Sequence, residues 1–283
     1  MKNRVLILLL LITLTGFISW SCSKANDSST LLTIMCANDT ALVGKKSSKD
    51  ETKDWYQFLG PNRNSTSDEK DILKTWPKDG PEVLWSADVQ KGYGGAVIRD
   101  EKVYILDRNG KEGDDLRCFD LKKGKELWKF SYKSPGTLSY PGSRCVPAVD
   151  DKYVYSCGQN GDLYCVNIKT HKSVWNINIW TTYGGKRVPT WGISQCPLIY
   201  DDMMIVASQA PNAGVIAFNK KTGKVIWKTD NLGNYSYSSP SVAKIHGEDH
   251  IVMVQSSSRR GGGNVVGIEP KKGTIKWKFE NWK

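Results

Sequence analysis

A nine-residue segment with fixed internal spacing occurs four times in the chain, and it constrains the fold more than any other feature. The copies cover residues 120–128, 167–175, 219–227 and 269–277, and each ends on a tryptophan. Successive tryptophans lie 47, 52 and 50 residues apart. A turn residue stands four positions before each tryptophan and a polar residue eight positions before it. A period of about 50 residues is typical of propellers and solenoids.

Each copy has the pattern of a β-hairpin, with an apolar run, a Lys/Gly-rich turn and a strand that ends on the tryptophan. Another pair of strands is predicted upstream of each hairpin, as at residues 148–149 and 153–155 before the hairpin strand 163–166. No segment after residue 80 has the periodicity of a convincing amphipathic helix. The sequence therefore predicts an all-β fold in which each unit is a four-stranded propeller blade.

Residues 1–22 have the form of a bacterial export signal. Lys2 and Arg4 precede an apolar core at residues 5–14, and small polar residues follow. This apolar core is too short to span a membrane comfortably. We expect an exported protein of the periplasm or outer membrane.

Cys22 ends a stretch that loosely resembles a lipoprotein signal, in which the cysteine becomes the lipidated first residue. The match departs from the usual pattern, because Trp20 is bulky and Ser19 stands where an aliphatic residue is expected. We expect a lipid anchor at Cys22, with plain secretion as the alternative.

The remaining chain divides into three segments. Residues 23–54 are rich in Ser, Asn, Asp, Lys and Thr and are predicted to be a flexible tether, apart from an apolar island at 31–35. Residues 55–82 are aromatic and punctuated by Gly and Pro, so an ordered lead-in is expected there. Propeller repeats are predicted over residues 83–283, beginning with a strand around Trp85.

The Trp-x-Gln-Phe-x-Gly-Pro-x-Arg opening at residues 55–63, followed by Asp/Asn-x-x-x-Gly-Lys-x-x-Trp hairpins, resembles the PQQ-like (pyrroloquinoline-quinone-like) β-propeller repeat family. The resemblance covers residues 55–283. The family includes quinoprotein alcohol dehydrogenases, and also exported lipoproteins similar to the outer-membrane protein assembly factor, which hold no cofactor. The resemblance therefore implies the fold strongly and the chemistry weakly.

Small residues stand ten positions before each repeat tryptophan, at Cys118, Cys165, Ala217 and Gly267. We expect packing positions where neighbouring sheets come close, so the two cysteines are predicted to be core residues rather than metal or redox groups. His171 occupies the slot that glycine holds in the other copies, which predicts a turn residue with positive φ rather than a catalytic one.

The repeat tryptophans are predicted to bury their rings between adjacent blades; they are Trp85, Trp128, Trp175, Trp227 and Trp277. The Trp85 strand resembles an outermost blade strand without inner partners, and four complete units follow it. We therefore expect about four blades of an incomplete seven- or eight-bladed ring, truncated at its C-terminal end. An isolated half-ring would expose unpaired sheet edges and be unstable or associate with another chain.

Seven cysteines in an exported chain permit disulfides, and the odd number fits one lipidated cysteine plus six others. Cys36 in the tether is interpreted as an incidental thiol. Cys157 and Cys165 flank a turn whose expected register places them on opposite faces of the hairpin. Cys145 and Cys196 lie at comparable places in adjacent blades, so a disulfide between them is left open.

The net charge of +11 suggests nucleic-acid or membrane-surface binding at first sight. Much of it recurs in register on the hairpin turns, which is typical of a solvated rim rather than of an aromatic-interleaved basic stripe. We predict no nucleic-acid partner. The turn lysines are Lys122, Lys123, Lys125, Lys220, Lys221, Lys224, Lys271, Lys272 and Lys276.

A binding site is expected where the loops that precede each innermost strand converge on the channel mouth. These loops concentrate side chains suited to stacking and to anion contact, namely Tyr93, Tyr140, Arg144, Arg187, Trp191, Tyr235 and Tyr237. The alternative is that they only shape the mouth. No catalytic or metal-binding residues are predicted, because no Ser-His-Asp grouping, HExxH zinc motif or Walker loop is present.

Two functions remain open. The first is an envelope scaffold without a cofactor that binds a protein or glycan partner through the mouth loops. The second is part of a quinoprotein-like oxidoreductase of the alcohol dehydrogenase type, and PQQ and calcium belong only to this alternative. The resemblance implies that such enzymes need a calcium site, a base carboxylate and adjacent cysteines beneath the quinone, and this chain has no Cys-Cys pair.

Overall fold

The computed structural model describes residues 30–35, 54–256 and 262–282. The predicted export signal and most of the tether, with Cys22 and Cys36, lie outside these residues, so lipidation and export stay predictions. Within the described ranges no helix is both long and apolar enough to cross a membrane.

The described strands form one two-stranded sheet and four four-stranded antiparallel sheets, which we call blades 1 to 4 in chain order. The two-stranded sheet contains β1 (Thr30–Met35) and β2 (Val83–Val89). Blade 1 contains β3 (Val97–Arg99), β4 (Lys102–Asn109), β5 (Gly113–Asp120) and β6 (Glu126–Lys133). Blade 2 contains β7 (Ala148–Val149), β8 (Tyr153–Cys157), β9 (Asp162–Asn167) and β10 (Ser173–Asn178), followed by a short 3-10 helix (Thr181–Tyr183). Blade 3 contains β11 (Leu198–Tyr200), β12 (Met203–Ala210), β13 (Ala213–Asn219) and β14 (Val225–Lys228). Blade 4 contains β15 (Ser241–Ile245), β16 (Glu248–Ser256), β17 (Gly263–Ile268) and β18 (Ile275–Trp282).

Within each blade the strands are adjacent in the order in which the chain forms them, and the blade's tryptophan (Trp128, Trp175, Trp227 or Trp277) lies on the fourth, outermost strand. This is the up-and-down arrangement of a propeller blade. The predicted all-β fold of about four blades is confirmed, and the four sheets do not close into a ring.

The apolar island at residues 31–35, which the tether prediction set apart, lies in a strand. It forms β1, which pairs antiparallel with β2 so that Ile34 lies opposite Trp85. The strand around Trp85, predicted to lack inner partners, therefore has one partner from the segment before it. A short apolar segment of this kind can pair with an open sheet edge wherever one is available.

The polar residue eight positions before each tryptophan organises the hairpin turn. The Asp120 carboxylate accepts the backbone N–H groups of Lys122 and Lys123 at 3.0 and 2.7 Å, and its carbonyl accepts the N–H of Gly124 at 2.9 Å. The other three hairpins repeat these bonds with Asn167, Asn219 and Glu269. Side chains that bond to their own downstream backbone are the usual stabilisers of such turns.

The turn slot requires a left-handed backbone. Gly124, Gly223 and Gly273 have φ values of +66°, +70° and +72° there, and His171 has +56°. The prediction that His171 is a turn residue with positive φ is confirmed. Histidine tolerates this conformation better than β-branched residues do.

Four of the five repeat tryptophans contact the turn of the next unit, as predicted for rings packed between blades; the fifth, Trp277, instead donates its indole N–H to His250 of its own blade at 3.0 Å. The indole N–H of Trp85 donates to the Leu121 carbonyl of blade 1 at 2.8 Å, and its ring covers Gly124, where a Cβ would lie 2.4 Å away. Trp175 donates to Lys220 and covers Gly223 in the same way, and Trp227 does so with Pro270 and Gly273. The inter-blade contact is thus one ring on one turn, repeated along the chain.

The small residues ten positions before the tryptophans also lie opposite the indole of their own hairpin. Cys118 pairs directly with Trp128 across the hairpin, and Gly267 pairs in the same way with Trp277. A Cβ on Gly267 would lie 2.1 Å from the Trp277 ring. At Gly267 the indole of the same hairpin therefore leaves no room for a side chain, whereas at Cys165 the neighbouring blade also approaches, because the thiol lies 3.8 Å from the Lys220 carbonyl.

Apolar clusters fill the spaces between successive sheets. Cys118 and Cys165 are fully buried in them, as predicted for core residues. The expected register of Cys157 was wrong, because three residues (159–161) rather than two form the turn, and Cys157 pairs with Leu163 instead of residue 164. Cys157 and Cys165 therefore lie on the same face of the hairpin, and both are free thiols.

Candidate functional site

The lead-in segment adds to the innermost strands of the first two blades. The carbonyl of Trp55 accepts the N–H of Ile98 in β3 at 3.0 Å, and the carbonyl of Tyr56 accepts the N–H of Val149 in β7 at 2.9 Å. Consecutive lead-in residues thus join two different blades. The lead-in lies across the ends of the innermost strands.

Arg63 connects the same segment to the other two blades. Its guanidinium donates to the carbonyls of Cys196 and Pro197 before β11 at 3.4 and 2.9 Å, and to the carbonyl of Pro240 before β15 at 2.7 Å. The side chain is buried, and burial lowers the pKa of Arg63 to about 10. The planar guanidinium group has several N–H donors, so it can donate hydrogen bonds to carbonyls of two blades at once.

The local structure of the lead-in follows from its Gly-Pro-rich sequence. Gly60 has a φ of +81°, and the ring of Trp55 covers it so closely that a Cβ would lie 2.8 Å away. The Gln57 amide donates to the Pro61 carbonyl at 3.0 Å, which closes the turn. The turn then directs Arg63 inward, with its guanidinium 5.6 Å from the centroid of the Phe58 ring.

The loops that precede the innermost strands are bonded to one another in sequence around the site. The N–H of Tyr93 donates to the Ser143 carbonyl at 2.6 Å, which joins the loops of blades 1 and 2. The N–H of Ser194 donates to the Tyr235 hydroxyl at 3.1 Å, and this joins the loops of blades 3 and 4. The predicted convergence of these loops is present in the structure.

A cleft of about 610 Å³ lies between these loops and the lead-in, and we call it the mouth cleft. Aromatic residues, small residues and serines line it, and Arg144 is the one charged residue among the described residues of its lining. The lining residues are Trp55, Phe58, Leu59, Tyr93, Gly95, Ala96, Arg144, Val146, Ser194, Cys196, Tyr237, Ser238 and Ser239.

The structure brings five of the seven predicted site residues together. Tyr93, Arg144 and Tyr237 line the mouth cleft. Trp191 and Tyr235 lie beside it, with ring centroids 5.1 and 4.8 Å from that of Tyr237. These five form one aromatic cluster with a single guanidinium.

The other two predicted residues lie outside this lining. Tyr140 is 61% exposed, and it contributes only its backbone carbonyl, which accepts a bond from Arg144 at 2.5 Å. Arg187 is exposed on the loop before Pro189. Their loops were correctly predicted to reach the mouth, but loop membership does not fix where a side chain points.

Arg144 is held in place by its own loop and by an aromatic face. Its guanidinium donates to the Gly142 carbonyl at 2.5 Å and lies 5.1 Å from the centroid of the Tyr93 ring. Partial burial lowers the pKa of Arg144 from its ordinary value, and the group stays cationic at neutral pH. The mouth cleft therefore presents one pre-positioned cation among exposed aromatic rings, with Tyr93 63% exposed.

Sequence reasoning missed the lead-in and serine contributions to the cleft. Trp55 and Phe58 form one wall, and Ser194 and Ser239 lie on the opposite loops. The signal was present in the aromatic 55–63 motif, which predicted order but gave no indication of what it packs against.

The alternative function would require a bound quinone and a calcium ion, and calcium needs several oxygen ligands in one place. In the part of the chain that the structure describes, no group of three or more His, Cys, Asp and Glu side chains is placed to hold a metal ion. The mouth cleft has no carboxylate in its described lining. The described residues therefore do not supply the donor set that such a pair would need.

The turn lysines form the predicted solvated rim away from the mouth cleft. All are exposed except Lys220, whose ammonium lies 3.5 Å from the Asp150 carboxylate. None of them is among the described residues that line the mouth cleft. This arrangement gives no reason to revise the prediction of no nucleic-acid partner.

The fold and the mouth cleft define this chain as a β-propeller protein whose loops converge at one end of four-stranded blades. Residues 112–280 match the family model described as outer membrane protein assembly factor BamB. The match covers more than half of the chain, and the chain belongs to this PQQ-like repeat family. The predicted membership of the PQQ-like repeat family is confirmed, and the 55–63 opening lies outside the matched residues.

Two curated relatives are dehydrogenases. The chain is 24% identical over 173 residues to the quinoprotein alcohol dehydrogenase PedH of Pseudomonas putida, covering 58% of this chain and 27% of the relative. It is 26% identical over 142 residues to the quinoprotein ethanol dehydrogenase of Pseudomonas aeruginosa, covering 46% of this chain and 21% of that protein. The chain thus spans about a quarter of the length of these relatives.

A solved structure with the same fold is BamB from Moraxella catarrhalis. It superposes with a TM-score of 0.54 at 17% sequence identity, over 74% of this chain and 58% of that chain. At this identity the likeness shows the fold alone.

Proposed function

We propose that this protein is an exported, lipid-anchored scaffold of the cell envelope that binds a protein partner at the mouth cleft and uses no cofactor. The observation that carries the proposal is the cluster of Tyr93, Arg144 and Tyr237 in an open cleft between the lead-in and the blade loops. Aromatic residues and arginine are the side chains that most often dominate binding at protein interfaces.

The chemistry of the cleft indicates which partner it fits. Exposed rings offer apolar faces at small entropic cost, and Arg144 offers one cation for a carboxylate. An extended segment that carries an aromatic side chain next to an acidic residue would match both. The family-model description, an assembly factor, favours a protein over a glycan.

The alternative function has one observation in its favour, which is the similarity to two quinoprotein dehydrogenases. The described residues do not supply the donor set for calcium, and the mouth cleft has no carboxylate in its lining that could act as a base. These two observations support the scaffold over the oxidoreductase.

Site-specific photocrosslinking in the producing cell tests the scaffold. Tyr93 is replaced by benzoylphenylalanine, and the same probe at Val174, exposed on the outermost strand of blade 2, serves as the control. We expect one discrete envelope protein joined at position 93 and none at 174. The yield should fall at least about fivefold with Arg144→Ala, the loss that about 1 kcal/mol of binding energy gives.

Arg187→Ala is the matched control for Arg144→Ala, because Arg187 is an exposed arginine outside the cleft lining. It should leave the yield unchanged. Equal crosslinking at 93 and 174, or equal losses in the two arginine variants, would overturn the proposal. Retention of added PQQ through gel filtration, with calcium-dependent alcohol oxidation, would favour the oxidoreductase instead.

A further inference from the structure

Two buried thiols from adjacent blades meet beneath the mouth cleft. Cys145 precedes β7 of blade 2, and Cys196 precedes β11 of blade 3. The N–H of Val146 donates to the Cys196 sulfur at 3.3 Å, which places that sulfur beside the backbone of the neighbouring blade. Cys145 directly precedes Val146, so its side chain lies next to Cys196, and its own thiol donates to the Val146 carbonyl at 3.2 Å.

The surroundings of the pair differ from those of an inert core cysteine. Cys196 lines the mouth cleft although it is only 3% exposed, so a reagent in the cleft reaches it first. The neighbouring Cys145 thiol lowers the pKa of Cys196, and the nearby Arg63 guanidinium lowers it further. A thiolate beside a second thiol is the arrangement from which thiol–disulfide exchange proceeds.

We propose that Cys145 and Cys196 form a reversible disulfide that joins blades 2 and 3 under the floor of the mouth cleft. The Cys196 thiolate attacks one sulfur of an oxidising disulfide and releases its other half as a thiolate. The Cys145 sulfur then displaces the second half from Cys196 and closes the new S–S bond. The two protons pass to the two released thiolates, so two protein thiols are oxidised and one external disulfide is reduced.

The Cys145–Cys196 disulfide would stabilise the contacts that hold the mouth cleft together. The carbonyl of Cys196 accepts a bond from Arg63 of the lead-in, and its N–H donates to the Ser239 hydroxyl of blade 4 at 2.8 Å. Fixing Cys196 to blade 2 thus fixes the residue at which the lead-in and three blades meet. This inference does not depend on which partner the cleft binds.

Cys157 is the competing thiol, because its N–H donates to the Cys145 sulfur at 3.3 Å. Its own sulfur faces the Gly158 carbonyl at 3.8 Å. It is fully buried and does not line the mouth cleft. We therefore expect Cys157 to remain a thiol and Cys157→Ser to leave the disulfide unaffected.

Oxidation of the full-length reduced protein with dipyridyl disulfide tests the pairing. Remaining thiols are alkylated, and the chain is digested and analysed by mass spectrometry without reduction. We expect one crosslinked peptide pair that contains Cys145 and Cys196, formed in wild type and in Cys157→Ser. Separate alkylation of both cysteines in folded protein, or a Cys145–Cys157 link, would overturn the proposal.

Two single variants separate the order of the steps. Cys145→Ser should trap a stable pyridyl adduct on Cys196, whereas Cys196→Ser should leave Cys145 unmodified and open to later alkylation. Oxidised wild type should also have a higher Tm than the reduced protein, and this rise should be absent from Cys145→Ser. An adduct that forms first on Cys145 would contradict the proposed attack by Cys196.

Discussion

The indole ring of Trp128 lies flat on the imidazole ring of His171, with ring centroids 4.9 Å apart and ring planes 16° apart. The indole rings of Trp85, Trp175 and Trp227 each lie on a glycine at the corresponding turn position. His171 therefore combines an unfavourable left-handed backbone with a favourable stack, and the two effects can be separated by substitution.

His171→Ala should destabilise the protein more than His171→Gly. Both variants lose a stack of about 1 kcal/mol, but only glycine relieves the left-handed strain, which is also about 1 kcal/mol. Chemical denaturation should therefore show His171→Gly close to wild type and His171→Ala about 1 kcal/mol below it. Equal stability of the two variants would show that the backbone at this turn is not strained.

Gly223→Ala should be much more damaging than Gly247→Ala. Both glycines have positive φ, +70° and +83°, but a Cβ at 223 would lie 2.7 Å from the Trp175 ring whereas a Cβ at 247 meets nothing within 4 Å. We expect a loss of about 1 kcal/mol at position 247 from backbone strain and about 3 kcal/mol at 223. Denaturation midpoints measure both, and similar losses would mean that Trp175 moves aside without cost.

Arg63→Lys should lower the free energy of unfolding by about 2–4 kcal/mol, because an ammonium cannot serve carbonyls of two blades and leaves buried acceptors unpaired. Arg99→Lys is the control. Arg99 also contacts the lead-in, 5.3 Å from the Tyr56 ring, but its partner Asp151 is exposed. An exposed pair contributes at most about 1 kcal/mol, so urea denaturation should distinguish the two variants clearly. Equal losses would contradict the role given to Arg63.

Asp107→Asn should flatten the dependence of stability on pH. Burial raises the pKa of Asp107 to about 6, above its ordinary value, despite bonds from Gln90 and Arg117. The folded state therefore binds this proton more tightly, and wild type loses stability as pH rises from about 4 to about 6.

The asparagine variant keeps an acceptor oxygen and has no proton to lose. Its free energy of unfolding, relative to wild type, should thus improve by about 2 kcal/mol between pH 4 and pH 6.5. Stability curves at several pH values measure this difference. Parallel curves for the two proteins would show that Asp107 ionises as it does in the unfolded chain.

The blades could be predicted from the sequence because their determinants are local. The turn residue, the polar residue that bonds to the turn and the tryptophan all lie within nine residues, as in 219–227. A repeated pattern of this kind can be recognised in the sequence without knowledge of the fold. The mouth loops were predicted for the same reason, since each one precedes the first strand of a blade.

Contacts between distant segments could not be predicted. Nothing in the local pattern around Arg63 indicates acceptors at Cys196 and Pro240, and nothing in residues 31–35 indicates β2 as a partner. The register of Cys157 was missed by one residue, because one turn of unexpected length reverses the face of every later side chain.

The bonds of Arg63 bear on the order in which the protein folds. Its acceptors lie 133, 134 and 177 residues further along the chain, so these bonds close very long loops. Each blade can form from residues that are close in sequence. Contacts that close long loops form late, because the entropic cost of closing the loop comes before the contact energy that offsets it. The segment synthesised before the blades is therefore the last to dock. The apolar clusters and the tryptophan–turn contacts already couple neighbouring blades, and we expect the docked segment to add to this coupling, so that the four blades unfold together rather than one at a time.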